Sequence, residues 1–112
     1  MNRLEREIKE ALINMGNDKE IFSEVLHAFI QDFPVKIQGM RRGISEKDTR
    51  SLKENAHTLK SSARICGLLQ LGEIAERVEE EERVTPDTDK DIQEMERLLK
   101  ESETILRDKG FI

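Results

Sequence analysis

Tryptophan and tyrosine are absent and the aromatic complement is four phenylalanines, so any interior must be built mainly from aliphatic side chains. One cysteine, Cys66, leaves no internal disulfide to form, which is the usage of a reducing compartment. Two prolines and six glycines leave long stretches free of helix breakers. No apolar run approaches the roughly 20 residues of a membrane span. The opening MNRLEREIKEAL is charged where a signal peptide is continuously apolar. An excess of basic residues is also missing: 19 Lys and Arg face 24 Asp and Glu, a net charge of −5. That balance argues against an affinity for nucleic acid based on phosphate neutralisation. These absences predict a soluble, cytoplasmic chain with no nucleic-acid or membrane partner, and 112 residues suffice for one domain, 1–112.

What is present is helical periodicity. Leu4, Ile8, Ala11, Leu12 and Met15 mark a first helix that stops at Gly16. Asn17 or Asp18 caps a second, whose broad apolar face runs through Ile21, Phe22, Val25, Leu26, Phe29, Ile30 and Phe33. Pro34 predicts a kink, after which Val35, Ile37, Met40 and Ile44 continue the apolar side to an exit at Gly43 and Ser45. From Glu46 to Cys66 the stripe Leu52, Ala56, Leu59, Ala63 and Cys66 steps by alternating fours and threes, the seam of a bundle helix. A fourth helix begins between Leu68 and Gly72, carries Leu71, Ile74, Ala75 and Val78, and ends in the run Glu79 to Glu82. Thr85-Pro86-Asp87 separates it from a last helix over Thr88 to Asp108. No strand pattern competes. The economical architecture is all-α: an antiparallel up-down-up-down four-helix bundle with an additional N-terminal helix.

Motifs for catalysis are scarce. The sequence has no Gly-rich phosphate loop, no Cys-x-x-Cys and no paired histidines at metal-ligand spacing, so neither metal nor cofactor is expected. The two histidines differ in their surroundings. Relative to the Leu52 to Cys66 seam, His57 projects about 140° away and should reach water. On its side lie Lys53, Lys60, Ser61 and Arg64, a setting that welcomes an added dianion. His27 also points outward, but its neighbours Glu24 and Gln31 offer no positive field. An imidazole nitrogen is a competent nucleophile near neutral pH, and a covalent adduct on it splits group transfer into two steps. Lys60 and Lys53 can then stabilise a phosphorylated ring while small Ser61 leaves room for a partner.

The segment Ala56-His57-Thr58-Leu59-Lys60-Ser61-Ser62-Ala63-Arg64-Ile65-Cys66-Gly67-Leu68, followed by Leu71, resembles the signature of histidine-containing phosphotransfer (HPt) domains of two-component phosphorelays. His57, Leu59, Lys60, Ser61, Gly67 and Leu71 fill the signature positions, and Phe29, Phe33-Pro34 and Ile37 are similar to the family's preceding helices. The resemblance covers most of the chain. It implies a phosphocarrier, not an autonomous enzyme. His57 would accept a phosphoryl group from a receiver-domain aspartate and pass it to another receiver, with Mg²⁺ supplied by the receiver. The implied partners are response-regulator receiver domains and hybrid sensor histidine kinases. Lys60 falls at the family's phosphate-neighbouring lysine. Glu79 stands where some members have a glutamate that contacts the imidazole; as part of an acidic run it reads equally as a solvated helix end.

Ser61 departs from the glycine common at its position and preserves access as a small residue. Gly67 also reads as an ordinary helix-ending glycine. The second helix has an apolar face about 180° wide, which either two neighbouring helices bury or a docking patch uses in part. The outer members of that stripe, with Ile65 and Leu68, are the candidate receiver-docking residues. The competing reading is a helical interaction module that binds a receiver or partner helix without phosphorylation.

Overall fold

The structure, a computed structural model describing residues 1–112, contains five helices: α1 (Arg3–Asn14), α2 (Lys19–Ser45), α3 (Thr49–Ile65), α4 (Leu69–Glu80) and α5 (Pro86–Asp108). Helix starts follow short polar caps. Side chains of Asn2, Asp18, Asp48 and Thr85 accept the backbone N–H groups of Glu5, Ile21, Ser51 and Asp87, donors that the first turn cannot satisfy internally. Helix α5 begins at Pro86, two residues before the predicted Thr88. A proline at the first helical position loses no needed amide and already has helical φ, and Thr85 and Thr88 close a capping box around it. Pro34, by contrast, sits in the interior of α2, where its missing amide removes one intrahelical bond, and α2 continues past it as one helix of 27 residues.

Helices α2, α3, α4 and α5 form the four-helix bundle, with α3 packed between α2 and α4 and α4 against α5; α1 is the additional helix. The α3 seam Leu52, Ala56, Leu59, Ala63 and Cys66 is buried at its full length. It meets Phe22, Leu26, Phe29, Phe33, Ile37 and Met40 of α2, and Leu71, Ile74, Ala75 and Val78 of α4, within one continuous core. Each such leucine or phenylalanine contributes about 2 kcal/mol by leaving water. The wide face of α2 divides: its centre is buried, Val25 and Ile30 are half-buried, and Ile21 is exposed.

Helix α1 is fastened over the α3–α4 turn. Leu68 gives α4 no side-chain cap, and the free amide of Gln70 is instead accepted by Glu7 Oε1 at 2.8 Å, a cap supplied from another helix. Glu7 is buried, and that burial pushes its carboxyl pKa up although the Gln70 amide and Arg3 oppose the shift. Gly67 turns the chain with φ +75°, and a Cβ placed there would lie 2.4 Å from the Ala11 Cβ. At the same end Phe111 packs edge-on to Phe22 with ring centroids 5.1 Å apart, and Ser23 Oγ donates to the Phe111 carbonyl at 2.6 Å.

Two glycines separate backbone strain from close approach. Gly110 has φ +82° with open space around it, so Gly110→Ala is expected to cost about 1 kcal/mol. Gly67→Ala adds the collision with Ala11 and is expected to cost about 3 kcal/mol. Equal losses in urea denaturation would contradict the docking of α1 described above.

Candidate functional site

The seam that buries Ala56 turns the next residue outward, and the His57 side chain is 60% exposed. One turn further along α3, Lys60 is largely covered. Because α4 runs antiparallel to α3, its penultimate residue, Glu79, returns to the level of His57. The carboxylate bridges two helical turns: Oε1 lies 2.7 Å from His57 Nδ1 and Oε2 lies 2.6 Å from Lys60 Nζ. The close ion pair with Lys60 first, and the hydrogen bond from His57 after it, hold the Glu79 carboxyl below its ordinary value despite partial burial. An ionised carboxylate only accepts, so Nδ1 donates to it, and in the neutral ring the lone pair is then on Nε2.

Beside the ring is a shallow depression of about 440 Å³ lined by Lys53, Glu54, His57, Thr58 and Glu79, none of them a hydrophobic residue. Glu54 pairs with Arg50 at 3.0 Å and Thr58 Oγ1 donates to the Glu54 carbonyl at 3.1 Å. Ser61 is exposed one turn from the ring. Thr58 and Glu54 were not singled out from sequence; their signal was adjacency to His57 at one and three residues on an exposed face.

Three predicted residues take other places. Leu68 is buried at 1% exposure, because the left-handed turn at Gly67 swings it into the core, and it offers nothing to a docking partner. Gly67 itself lies about 15 Å along the helix axis from His57 and makes room for α1 instead of for access to the ring. Arg64 reaches across to α4 and pairs with Glu76 at 3.1 Å, so it is not a free cation beside the imidazole. Lys60 is also engaged, by Glu79. Ile65 remains 66% exposed, at the edge of an apolar groove of about 340 Å³ between α2 and α3 that Val25, Ala28 and Phe29 also line.

No group of three or more His, Cys, Asp or Glu side chains converges as a metal-holding set. Cys66 is not a second nucleophile: burial pushes its thiol up to about 12. His27 is exposed on α2 without an ion pair or side-chain hydrogen bond. The chemical capacity of the site therefore lies in one solvent-facing ring with one nitrogen engaged and the other free.

The depressed Glu79 value has a defined consequence in acid. Glu79 binds its proton less tightly in the folded chain than in the unfolded one. Its contribution to stability is present above the unfolded carboxyl's pKa and is lost as pH falls through the lowered one. Glu79→Gln is expected to flatten the acid limb of stability measured by urea denaturation from about pH 7 to about pH 3. An unchanged acid limb would contradict the bridging geometry.

A family model described as "Hpt domain" matches residues 24–105, from α2 to near the end of α5. No curated protein and no solved structure gives a match. The matched span contains His57, Lys60 and Glu79 and nearly all of the four-helix bundle; α1, which packs at the α3–α4 turn, lies outside it. With most of its length matched and the helical bundle in place, the chain belongs to the Hpt domain family, the phosphocarriers of two-component signalling.

Proposed function

We propose that His57 is the phosphoacceptor and donor of this chain and that the protein shuttles a phosphoryl group between receiver-domain aspartates in a cytoplasmic phosphorelay. The carrying observation is the solvent-facing ring whose Nδ1 lies 2.7 Å from Glu79 Oε1 while Nε2 makes no hydrogen bond within the chain. The Nε2 lone pair attacks the phosphorus of a receiver's aspartyl phosphate. The bond from phosphorus to the aspartate oxygen breaks, and the aspartate leaves as its carboxylate. The product ring keeps its Nδ1 proton and carries the phosphoryl group on Nε2, so no proton has to leave during transfer. Glu79 faces the positive charge that develops on the ring and stabilises it. Return transfer to a second aspartate is the same step reversed.

The Mg²⁺ that assists the reaction belongs to the receiver's own site in this reading. Partners are receiver domains of response regulators or of hybrid sensor kinases. Exposed Ile65 and the adjacent groove with Val25 and Phe29 give such a partner an apolar footing beside the histidine helix.

Phosphoryl transfer from a pre-phosphorylated receiver tests the proposal. Wild type and His27→Gln are expected to take the label, in acid-labile and alkali-stable form, and His57→Gln is expected to take none. Label on His57→Gln would place the acceptor on another residue, and intact signalling through that variant would favour an interaction module without phosphorylation.

A further inference from the structure

We infer that Lys53, not Lys60, supplies the positive charge that faces the transferred phosphoryl group, and that Lys60 acts on the ring only through Glu79. The inference rests on His57 as phosphoacceptor and assigns separate tasks to the cations around it. Four cations share the histidine's side of α3, and three of them are committed; Arg50 is held by Glu54 at 3.0 Å. Lys60 Nζ lies 2.6 Å from Glu79 Oε2, with its side chain only 14% exposed. Arg64 is held by Glu76 at 3.1 Å. Lys53 makes no ion pair, and it lines the same depression as His57, whereas Lys60 does not.

Charge within the depression points the same way. A phosphoryl group on Nε2 brings up to two negative charges to a site that already holds Glu54 and Glu79. Glu79 is offset by Lys60 at 2.6 Å, and Glu54 by Arg50 at 3.0 Å. Lys53 is the one cation of that depression left over. It sits one helical turn before His57, about 6 Å away at Cβ, a span that its four-carbon stem covers. Drawing Lys60 to the phosphoryl group would instead strip a partly buried carboxylate of its ammonium partner, an exchange that loses what it gains. Lys60 is thus a positioning residue: it keeps Glu79 ionised and pointed at Nδ1, and Glu79 sets the ring.

The test compares Lys53→Gln, Lys53→Arg, Lys60→Gln and His57→Gln for two readouts. One is the equilibrium partition of label between a pre-phosphorylated receiver and this chain. The other is the ¹⁵N spectrum of the unphosphorylated His57 ring. Lys53→Gln is expected to shift the partition toward the receiver by about threefold, the size of one partly exposed ion pair, with the ring spectrum unchanged. Lys53→Arg is expected to restore the partition, and Lys60→Gln to move the ring spectrum. A wild-type partition for Lys53→Gln, a loss that Lys53→Arg does not restore, or a loss accompanied by a shifted ring spectrum overturns the assignment. Label on His57→Gln overturns the phosphoacceptor reading itself, so the two failures are distinguishable.

Discussion

A single carboxylate, Glu79, joins α3 to α4 at the level where the histidine leaves the surface, with one oxygen on His57 and the other on Lys60. That arrangement converts a mobile exposed imidazole into a ring with a defined tautomer and direction. Neither donor alone suffices for the task. The lysine keeps the carboxylate ionised at a site one quarter exposed, and the ionised carboxylate fixes which ring nitrogen bears the proton. The ring stays open to water because α3 spends its apolar residues on the seam one position away.

Such a bridge has value only if α4 cannot slide relative to α3. Small residues bring the two helices together: Ala56 and Ala63 on α3 and Ala75 on α4 are fully buried, and Gly72 lies against Ala63 and the Lys60 carbonyl. The ends of α4 are then pinned separately. Glu7 of α1 caps its first turn, while Arg77 pairs with Asp91 of α5 at 3.0 Å and Glu81 accepts the Thr88 hydroxyl. A helix fixed at both ends places a side chain on its last turn with little freedom, and Glu79 is that side chain. The N-terminal helix outside the family match thereby contributes, from the far end of α4, to the rigidity of the element that holds the histidine.

The bundle helices were legible in sequence because their apolar residues repeat at three and four, and periodicity survives folding unchanged. The Leu52 to Cys66 seam fixed which face of α3 turns inward, and the exposure of His57 followed by geometry alone. Residues at helix ends were harder to place. Leu68 follows a glycine, and whether it points to solvent or core depends on the left-handed turn at Gly67, which no periodicity carries across. Cross-helix partners were harder still. Glu79 is one of four consecutive glutamates; the family resemblance pointed to it, but periodicity did not, and its contact with the ring depends on the register of α4 against α3. The Glu7 cap of Gln70 joins residues 63 positions apart and leaves no local signature. Arg64 sits on the histidine's side of α3 by angle, yet its long side chain finds Glu76 on the neighbouring helix.

The central claim is that Glu79 reserves Nδ1 and thereby presents Nε2 to the incoming phosphoryl group. Phosphorylating the ¹⁵N-labelled protein with a phosphorylated receiver and locating the phosphorus by ³¹P–¹⁵N coupling tests this most directly. The account predicts coupling to Nε2 of His57 with the proton retained on Nδ1. Coupling to Nδ1, or to any other residue, would contradict it.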